Sequence, residues 1–162
     1  MMLSSRLSQS SGIVNAAFLI EVKEANADVW NCLRRVRDLA AMPESVDREA
    51  LAHEFVQGAD ELLVQLAKEF QLEETLGFIA PSSGATQPGD QTDLGKSSQQ
   101  HREIYLCLQE MCERAEESEY RGTICRDLNQ FREDFGKVDQ LLREHERYEA
   151  ELIRGHLGAD AL

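Results

Sequence analysis

The fold is decided by one long segment, Phe131 to Leu152, which reads FREDFGKVDQLLREHERYEAEL. Its inward positions recur at alternating steps of four and three residues, the period of an amphipathic α-helix. The spacing predicts a helix that begins after Gly122 and ends near Gly155. The stripe consists of Phe131, Phe135, Val138, Leu142, His145, Glu149, Leu152 and His156.

Three further segments show the same helical period. The first runs from Ile13 to Ala41, where a Met-Pro pair ends it. The second runs from Asp47, a suitable N-cap, to Phe78. The third begins near Asp93 and reaches about Glu117. Between the second and third lies Ala80–Asp90, rich in Pro, Gly and Ser, which we expect to be a mobile loop.

Four long helices with mostly short connections favour an all-α, antiparallel up-down-up-down four-helix bundle. We expect it to occupy residues 13–160 as one domain. Residues 1–12 are Ser-rich and are expected to form a flexible N-terminal segment. The predicted core residues are Phe18, Val29, Leu62, Leu66, Leu108, Met111, Phe131, Phe135 and Val138.

The composition excludes several classes of function. The 162 residues include 17 Lys and Arg against 30 Asp and Glu, a net charge of −13. Such a balance argues against nucleic acids and anionic membrane surfaces as partners, because both need clustered cations. No apolar run approaches the length of a membrane span. The four cysteines form no C-x-x-C pair, and we expect them to be reduced thiols in a cytoplasmic protein.

Polar residues interrupt the apolar stripes at corresponding levels of three helices. They are Glu69 and Glu73 in the second helix, His101 in the third, and His145 and Glu149 in the fourth. In an up-down bundle these positions lie at the same end. Burying a lone carboxylate is costly unless it is paired or binds a metal. Imidazole and carboxylate groups on facing helices therefore predict a site for iron, or alternatively manganese.

A second interpretation stays open at this stage. Acids near a helix end can meet water at the open mouth of a bundle, and the phase of a heptad pattern drifts along a straight helix. Other metal and nucleotide signatures are absent from the sequence: it contains no Glu-x-x-His, no H-E-x-x-H and no P-loop with the required spacing.

Several segments resemble the hemerythrin-like (HHE cation-binding) family. EFQLEETLGF, residues 69–78, resembles its His-Phe-x-x-Glu-Glu segment, and QHREI, residues 100–104, resembles the start of its third helix. EHERYEAELI, residues 144–153, resembles its last helix, and Lys23 to Leu33 looks like its first. The resemblance covers roughly residues 15–160 and depends on the joint order of these short motifs.

The resemblance implies an antiparallel four-helix bundle with a non-haem di-iron centre, histidine ligands, two bridging carboxylates and, in some members, bound dioxygen. By position, Glu73 would be one bridging carboxylate and Glu149 the second. His101 and His145 would be the ligands from the third and fourth helices.

The chain departs from the family pattern at three histidine positions, which hold Asn26, Glu69 and Tyr105. Such a carboxylate-richer site suits iron handling, or oxygen and redox sensing, better than reversible dioxygen carriage. The alternative is a degenerate bundle that binds no metal and acts as an interaction or regulatory module, with an unidentified protein partner. An oxidative enzyme is a third, weaker possibility, because the sequence identifies no substrate.

Overall fold

The computed structural model describes residues 13–43, 47–79 and 93–157. The predicted all-α class is confirmed, and within the described ranges one pair of two-residue strands is added. The segments predicted to be flexible, residues 1–12 and Ala80–Asp90, lie outside the described residues. In chain order the elements are β1 (Ile13–Val14), α1 (Ala16–Ala25), α2 (Ala27–Ala41), α3 (Arg48–Leu76), β2 (Phe78–Ile79), α4 (Asp93–Tyr120) and α5 (Ile124–Leu157).

The prediction of one continuous helix over Ile13–Ala41 is wrong, because the helix breaks at Asn26. This residue has φ −105° and ψ 56°, outside the helical region, and its backbone N–H closes α1 on the carbonyl of Val22. A break leaves carbonyls of the last turn without helical donors. The indole Nε1 of Trp30, on α2, donates to one of them, that of Lys23, at 3.2 Å.

The two short strands join the start of α1 to the end of α3. They pair antiparallel, and beside them the backbone N–H of Asn15 donates to the carbonyl of Gly77 at 2.8 Å. Gly77 has no room for a side chain. A Cβ there would collide with the side chain of Leu19 and with the backbone carbonyl of Glu73.

The other helix boundaries follow local signals. Asp47 accepts hydrogen bonds from the first backbone N–H groups of α3, as the sequence predicts for an N-cap. Gly122 has φ +73°, a conformation that favours glycine, and it makes the tight turn between α4 and α5. Ser118 Oγ then donates to Asp127 across this turn at 2.9 Å.

The helices pack around one main apolar core. α4 lies against α3 and α5, α2 lies mainly against α3, and α1 contacts α5 and α3. The predicted core is confirmed except at Phe18, which is only half-buried. Phe18 instead borders a surface groove with Leu72 and Lys68. The up-down-up-down order of four helices stays a prediction. The confirmed core residues are Val29, Leu62, Leu66, Leu108, Met111, Phe131, Phe135 and Val138.

A smaller apolar cluster covers one end of the helices. It is formed by Val14, Ala16 and Leu19, with Leu94, Leu152 and Ile153 packed against them. On α5, Leu142 belongs to the main core and Leu152 to the small cluster. The two polar residues between them on the stripe, His145 and Glu149, are therefore enclosed from both sides. Among the described residues, no helix is long and apolar enough to cross a membrane.

Candidate metal centre

The structure brings all five predicted site residues into one buried region between α3, α4 and α5. Glu69, Glu73 and Glu149 are each 2% exposed, and His101 and His145 are each 3% exposed. The interpretation in which these acids meet water at an open bundle mouth is therefore wrong. The small apolar cluster lies just beyond them, since its Leu152 follows Glu149 on α5 by three residues.

Three of the five residues form a compact group, one from each helix. Glu73 Oε2 lies 2.8 Å from His101 Nε2 and 3.6 Å from His145 Nε2. The two Nε2 atoms lie 3.0 Å apart. One ligand atom from each of these residues falls within 4.8 Å of the other two. Ligand atoms at these separations match one coordination sphere, in which bonds of about 2.1 Å place neighbouring donors about 3 Å apart.

Glu149 extends the group along α5. It lies one helical turn after His145, and its Oε2 is 3.1 Å from His145 Nε2. The same oxygen is 3.4 Å from Nζ of Lys23, which α1 directs into the site. Glu149 therefore lies between the imidazole group and an ammonium group.

The outer nitrogens of both histidines face oxygen acceptors. His145 Nδ1 lies 2.7 Å from Oε1 of Gln100. His101 Nδ1 lies 3.3 Å from Oε2 of Glu74, although this contact lacks hydrogen-bond geometry. Histidines that bind metals usually donate their second ring N–H to such an oxygen. With protons on both Nδ1 atoms, both Nε2 lone pairs face the centre of the group.

An aromatic ring fixes the orientation of both imidazoles. Phe70 stacks on His101 with ring centres 4.1 Å apart and planes 11° from parallel. Phe70 also makes a T-shaped contact with His145, with ring centres 5.7 Å apart. A surface cavity of about 320 Å³, bordered by Phe70, His101, Arg102 and Tyr105, adjoins this stack.

Several buried polar atoms of the site lack hydrogen-bond partners among the described residues. They are Glu69 Oε1, Glu73 Oε2, His101 Nδ1 and Glu149 Oε1. For Glu73 Oε2 the near imidazoles lie at contact distance without bonding geometry. An unsatisfied buried acceptor costs about 1–3 kcal/mol, and more when it is charged. The compact donor set thus fits a bound cation, which would give Glu73 Oε2 the partner that it lacks.

Burial and mutual repulsion set the protonation of the acids. Burial, with the charges of Glu73 and Glu149, raises the pKa of Glu69 to about 8, so this carboxyl is mostly protonated at neutral pH. Burial alone would also raise the pKa of Glu73. The adjacent imidazoles of His101 and His145 outweigh burial there and hold the pKa of Glu73 below its usual range.

His145 shows the complementary shift. Burial alone would lower its pKa, but the carboxylates of Glu149 and Glu73 outweigh burial and raise the pKa to about 9. In the absence of a metal, the imidazole of His145 is therefore protonated at neutral pH. A proton then occupies the space between the facing nitrogens that a metal ion would otherwise take.

The histidine positions that the resemblance assigns to Asn26 and Tyr105 lie elsewhere. Asn26 forms the break between α1 and α2 and borders the surface groove with Phe18. Tyr105 borders the cavity beside His101 rather than the compact group. Lys23 is the residue of α1 that enters the site, and the sequence pattern did not predict it. The sequence pointed to such a residue only indirectly: three acids on inward positions need a nearby positive charge.

No family model matches the chain, and neither a curated protein nor a solved structure matches it.

Proposed function

We propose that the chain is a metal-binding protein of hemerythrin-like type, with iron, or alternatively manganese, held by Glu73, His101 and His145. Glu149 and Glu69 are the further carboxylates of the centre. The observation that carries the proposal is the meeting of three buried ligand atoms from three different helices within 4.8 Å. Separate helices offer no local reason for such a meeting.

The donor types favour iron among the common metals. Two imidazoles and one carboxylate with open positions are the ligand set of non-haem iron(II) sites. Additional carboxylates also suit manganese, whereas a structural zinc site would favour thiolates. The nearest cysteines along α4, Cys107 and Cys112, are a turn or more beyond His101, and Cys112 belongs to the apolar core.

The proposed arrangement is an up-down-up-down bundle of four helices, with α1 and α2 together as the first. Contacts at both ends support it. Arg48 Nε donates to the carbonyl of Cys125 at 2.8 Å, which places the starts of α3 and α5 side by side. Glu73, near the end of α3, meets His101 near the start of α4. At the other end of the same pair, His53 near the start of α3 lies 3.8 Å from Glu119 near the end of α4, as expected for helices that run in opposite directions.

The proposed role is iron handling, or oxygen and redox sensing, in the cytoplasm. Bound iron would supply one-electron redox chemistry at open coordination positions. The chain's own residues hold the ligands in place, exclude water through the small apolar cluster, and leave the cavity beside Phe70 as an approach to His101. The net charge of −13 supports a metal cation as the partner and argues against nucleic acid and membrane.

Metal analysis tests the proposal. The full chain is stripped with a chelator, loaded anaerobically with Fe²⁺ or Mn²⁺, desalted, and measured for metal content. The proposal expects stoichiometric retention that is lost in a double variant, His101→Ala with His145→Ala. Retention of no metal by the unmodified chain would defeat the proposal.

The alternative, a metal-free bundle with an interaction or regulatory role, has a specific observation in its favour. Lys23 and protonated His145 offer two positive charges against the carboxylates of Glu73 and Glu149. The site is thus able to balance its charge without an ion. The loading experiment separates the two proposals, because a self-balanced site would remain empty at excess metal.

A further inference from the structure

The position of Lys23 bears on how many ions the proposed centre holds. Five site residues, with three carboxylates and two imidazoles, offer enough donor atoms for two metal ions. Lys23 Nζ, however, lies 3.4 Å from Glu149 Oε2 on the side of this carboxylate that faces α1. We infer that the ammonium of Lys23 takes the place of a second cation, so that the centre binds a single metal ion.

The lysine is held in place by the break between α1 and α2. Its side chain is only 22% exposed. Its backbone carbonyl accepts the indole N–H of Trp30, and its ammonium lies 6.0 Å from the centre of the same indole ring. This anchoring exists because the chain leaves the helix at Asn26 and returns Trp30 over the last turn of α1. These contacts hold Lys23 in the site, and its side chain is not simply a solvated surface lysine.

The ammonium blocks a second ion in two ways. It offers no lone pair, so α1 contributes no ligand at the position nearest Glu149. Its positive charge also acts on Glu69 and Glu149, which are the carboxylates left over after the compact group of Glu73, His101 and His145 has bound the first ion. A divalent cation between these two carboxylates would be repelled at short range in a region of low dielectric constant.

The inference rests on the proposed metal function, and the experiment distinguishes the two. The full chain is stripped, titrated with Mn²⁺ alone, desalted, and assayed for manganese per chain and for its electron paramagnetic resonance spectrum. We expect a single ion with the spectrum of isolated Mn²⁺. Two ions per chain, with the spectrum of a spin-coupled pair, would overturn the inference and leave the proposed function standing. No bound ion would defeat the proposed function, and the inference with it.

Substitutions of Lys23 give the second arm of the test. Lys23→His replaces the ammonium with a ligand and should double the manganese bound per chain. Lys23→Arg keeps the charge and should leave the ratio at a single ion. Lys68→His, on the exposed face of α3, is the matched control and should also leave it unchanged. A folded Lys23→His protein, judged by circular dichroism, that still binds a single ion would contradict the inference. If this variant does not fold, the stoichiometry of the unmodified chain still decides.

Discussion

The Nε2 atoms of His101 and His145 face each other 3.0 Å apart in the buried space between α4 and α5. The outer nitrogen of His145 faces Gln100, and the outer nitrogen of His101 faces Glu74. The inner lone pairs of the two rings therefore point toward the same region. Two lone pairs at this separation repel each other unless a cation lies between them. The cation is either a proton, which His145 holds through its raised pKa, or a metal ion.

Removal of either histidine should lower metal content and thermal stability together. A ligand present at a hundred times its Kd stabilises a fold by about 2.7 kcal/mol, which corresponds to a melting temperature roughly 5–10 °C higher in a chain of this size. His101→Ala and His145→Ala should lose that increment in metal-loaded protein, and chelator should remove it from the unmodified chain. His53→Ala is the control, because its side chain is 74% exposed on α3. Equal loss in the control would refute the assignment.

Two acids of the same helix should respond oppositely to substitution in the stripped protein. Glu73 contacts both imidazoles, so Glu73→Leu leaves protonated His145 short of a counter-charge and should destabilise the fold by about 3–5 kcal/mol. Glu69 has an unsatisfied oxygen and a pKa of about 8, so Glu69→Leu should be neutral or stabilising. Urea denaturation in the presence of chelator measures both. Stabilisation by Glu73→Leu would show that its ion pairs contribute nothing.

The helical stripes were sufficient to predict which polar residues meet between the helices but not their environment. Spacing along α3 and α5 identified Glu69, Glu73, His145 and Glu149, because helical period fixes which side chains share a face. It did not predict that these residues are closed off from water. The small apolar cluster around Leu19 covers this end of the helices, next to the paired strands β1 and β2.

The break at Asn26 was not predictable from periodicity. Asparagine costs less than about 1 kcal/mol within a helix, and the apolar pattern continues through it from Val22 to Val29. In the folded chain the break is accompanied by the bond from the indole of Trp30 to the carbonyl of Lys23, a contact that helical period does not encode. For the same reason the entry of Lys23 into the site was missed, since a lysine on a polar helix face is usually solvated.

The stability of the stripped protein should fall as the pH rises from about 5 to 9. The folded pKa of Glu69, about 8, lies above its ordinary value of 4.5, so its proton stabilises the fold below pH 4.5 and this contribution is lost as pH rises through 8. Protonated His145 likewise contributes stability that is lost as the pH rises from its ordinary pKa of 6.5 through its folded pKa of about 9. Urea denaturation at pH values of about 5.5 and 8.5, with chelator present, should show a difference of a few kcal/mol. Glu69→Gln should reduce the slope, and an unchanged slope in that variant would contradict the assignment.

Metal affinity should follow pH in the opposite direction. An ion that binds His145 must displace its proton, so below pH 9 each bound ion releases about one proton from this residue. The proton on His145 alone should make the apparent Kd for Mn²⁺ fall about tenfold per pH unit between pH values of about 6.5 and 8.5. A proton displaced from Glu69, whose pKa is raised to about 8, would add to this slope. Titrations at constant ionic strength measure the Kd, and a proton-release assay checks the stoichiometry. A Kd independent of pH would mean that the ion does not bind through His145.

The contact between the start of α1 and the end of α3 at Gly77 should contribute substantially to the stability of the fold. A Cβ at this residue would meet Leu19 and the carbonyl of Glu73, both held by packing or by the helix backbone. Gly77→Ala should therefore destabilise the protein by about 1–3 kcal/mol, as overpacking commonly does. Gly136, on the exposed face of α5, has open space within 4 Å of the position that a Cβ would take, so Gly136→Ala should stabilise the protein by about 0.5–1 kcal/mol through helix propensity.

Because Glu73 is a proposed ligand, Gly77→Ala should also weaken manganese binding, whereas Gly136→Ala should leave it unchanged. Equal melting temperatures and equal manganese affinities for the two variants would show that the end of α3 adjusts freely and does not position Glu73.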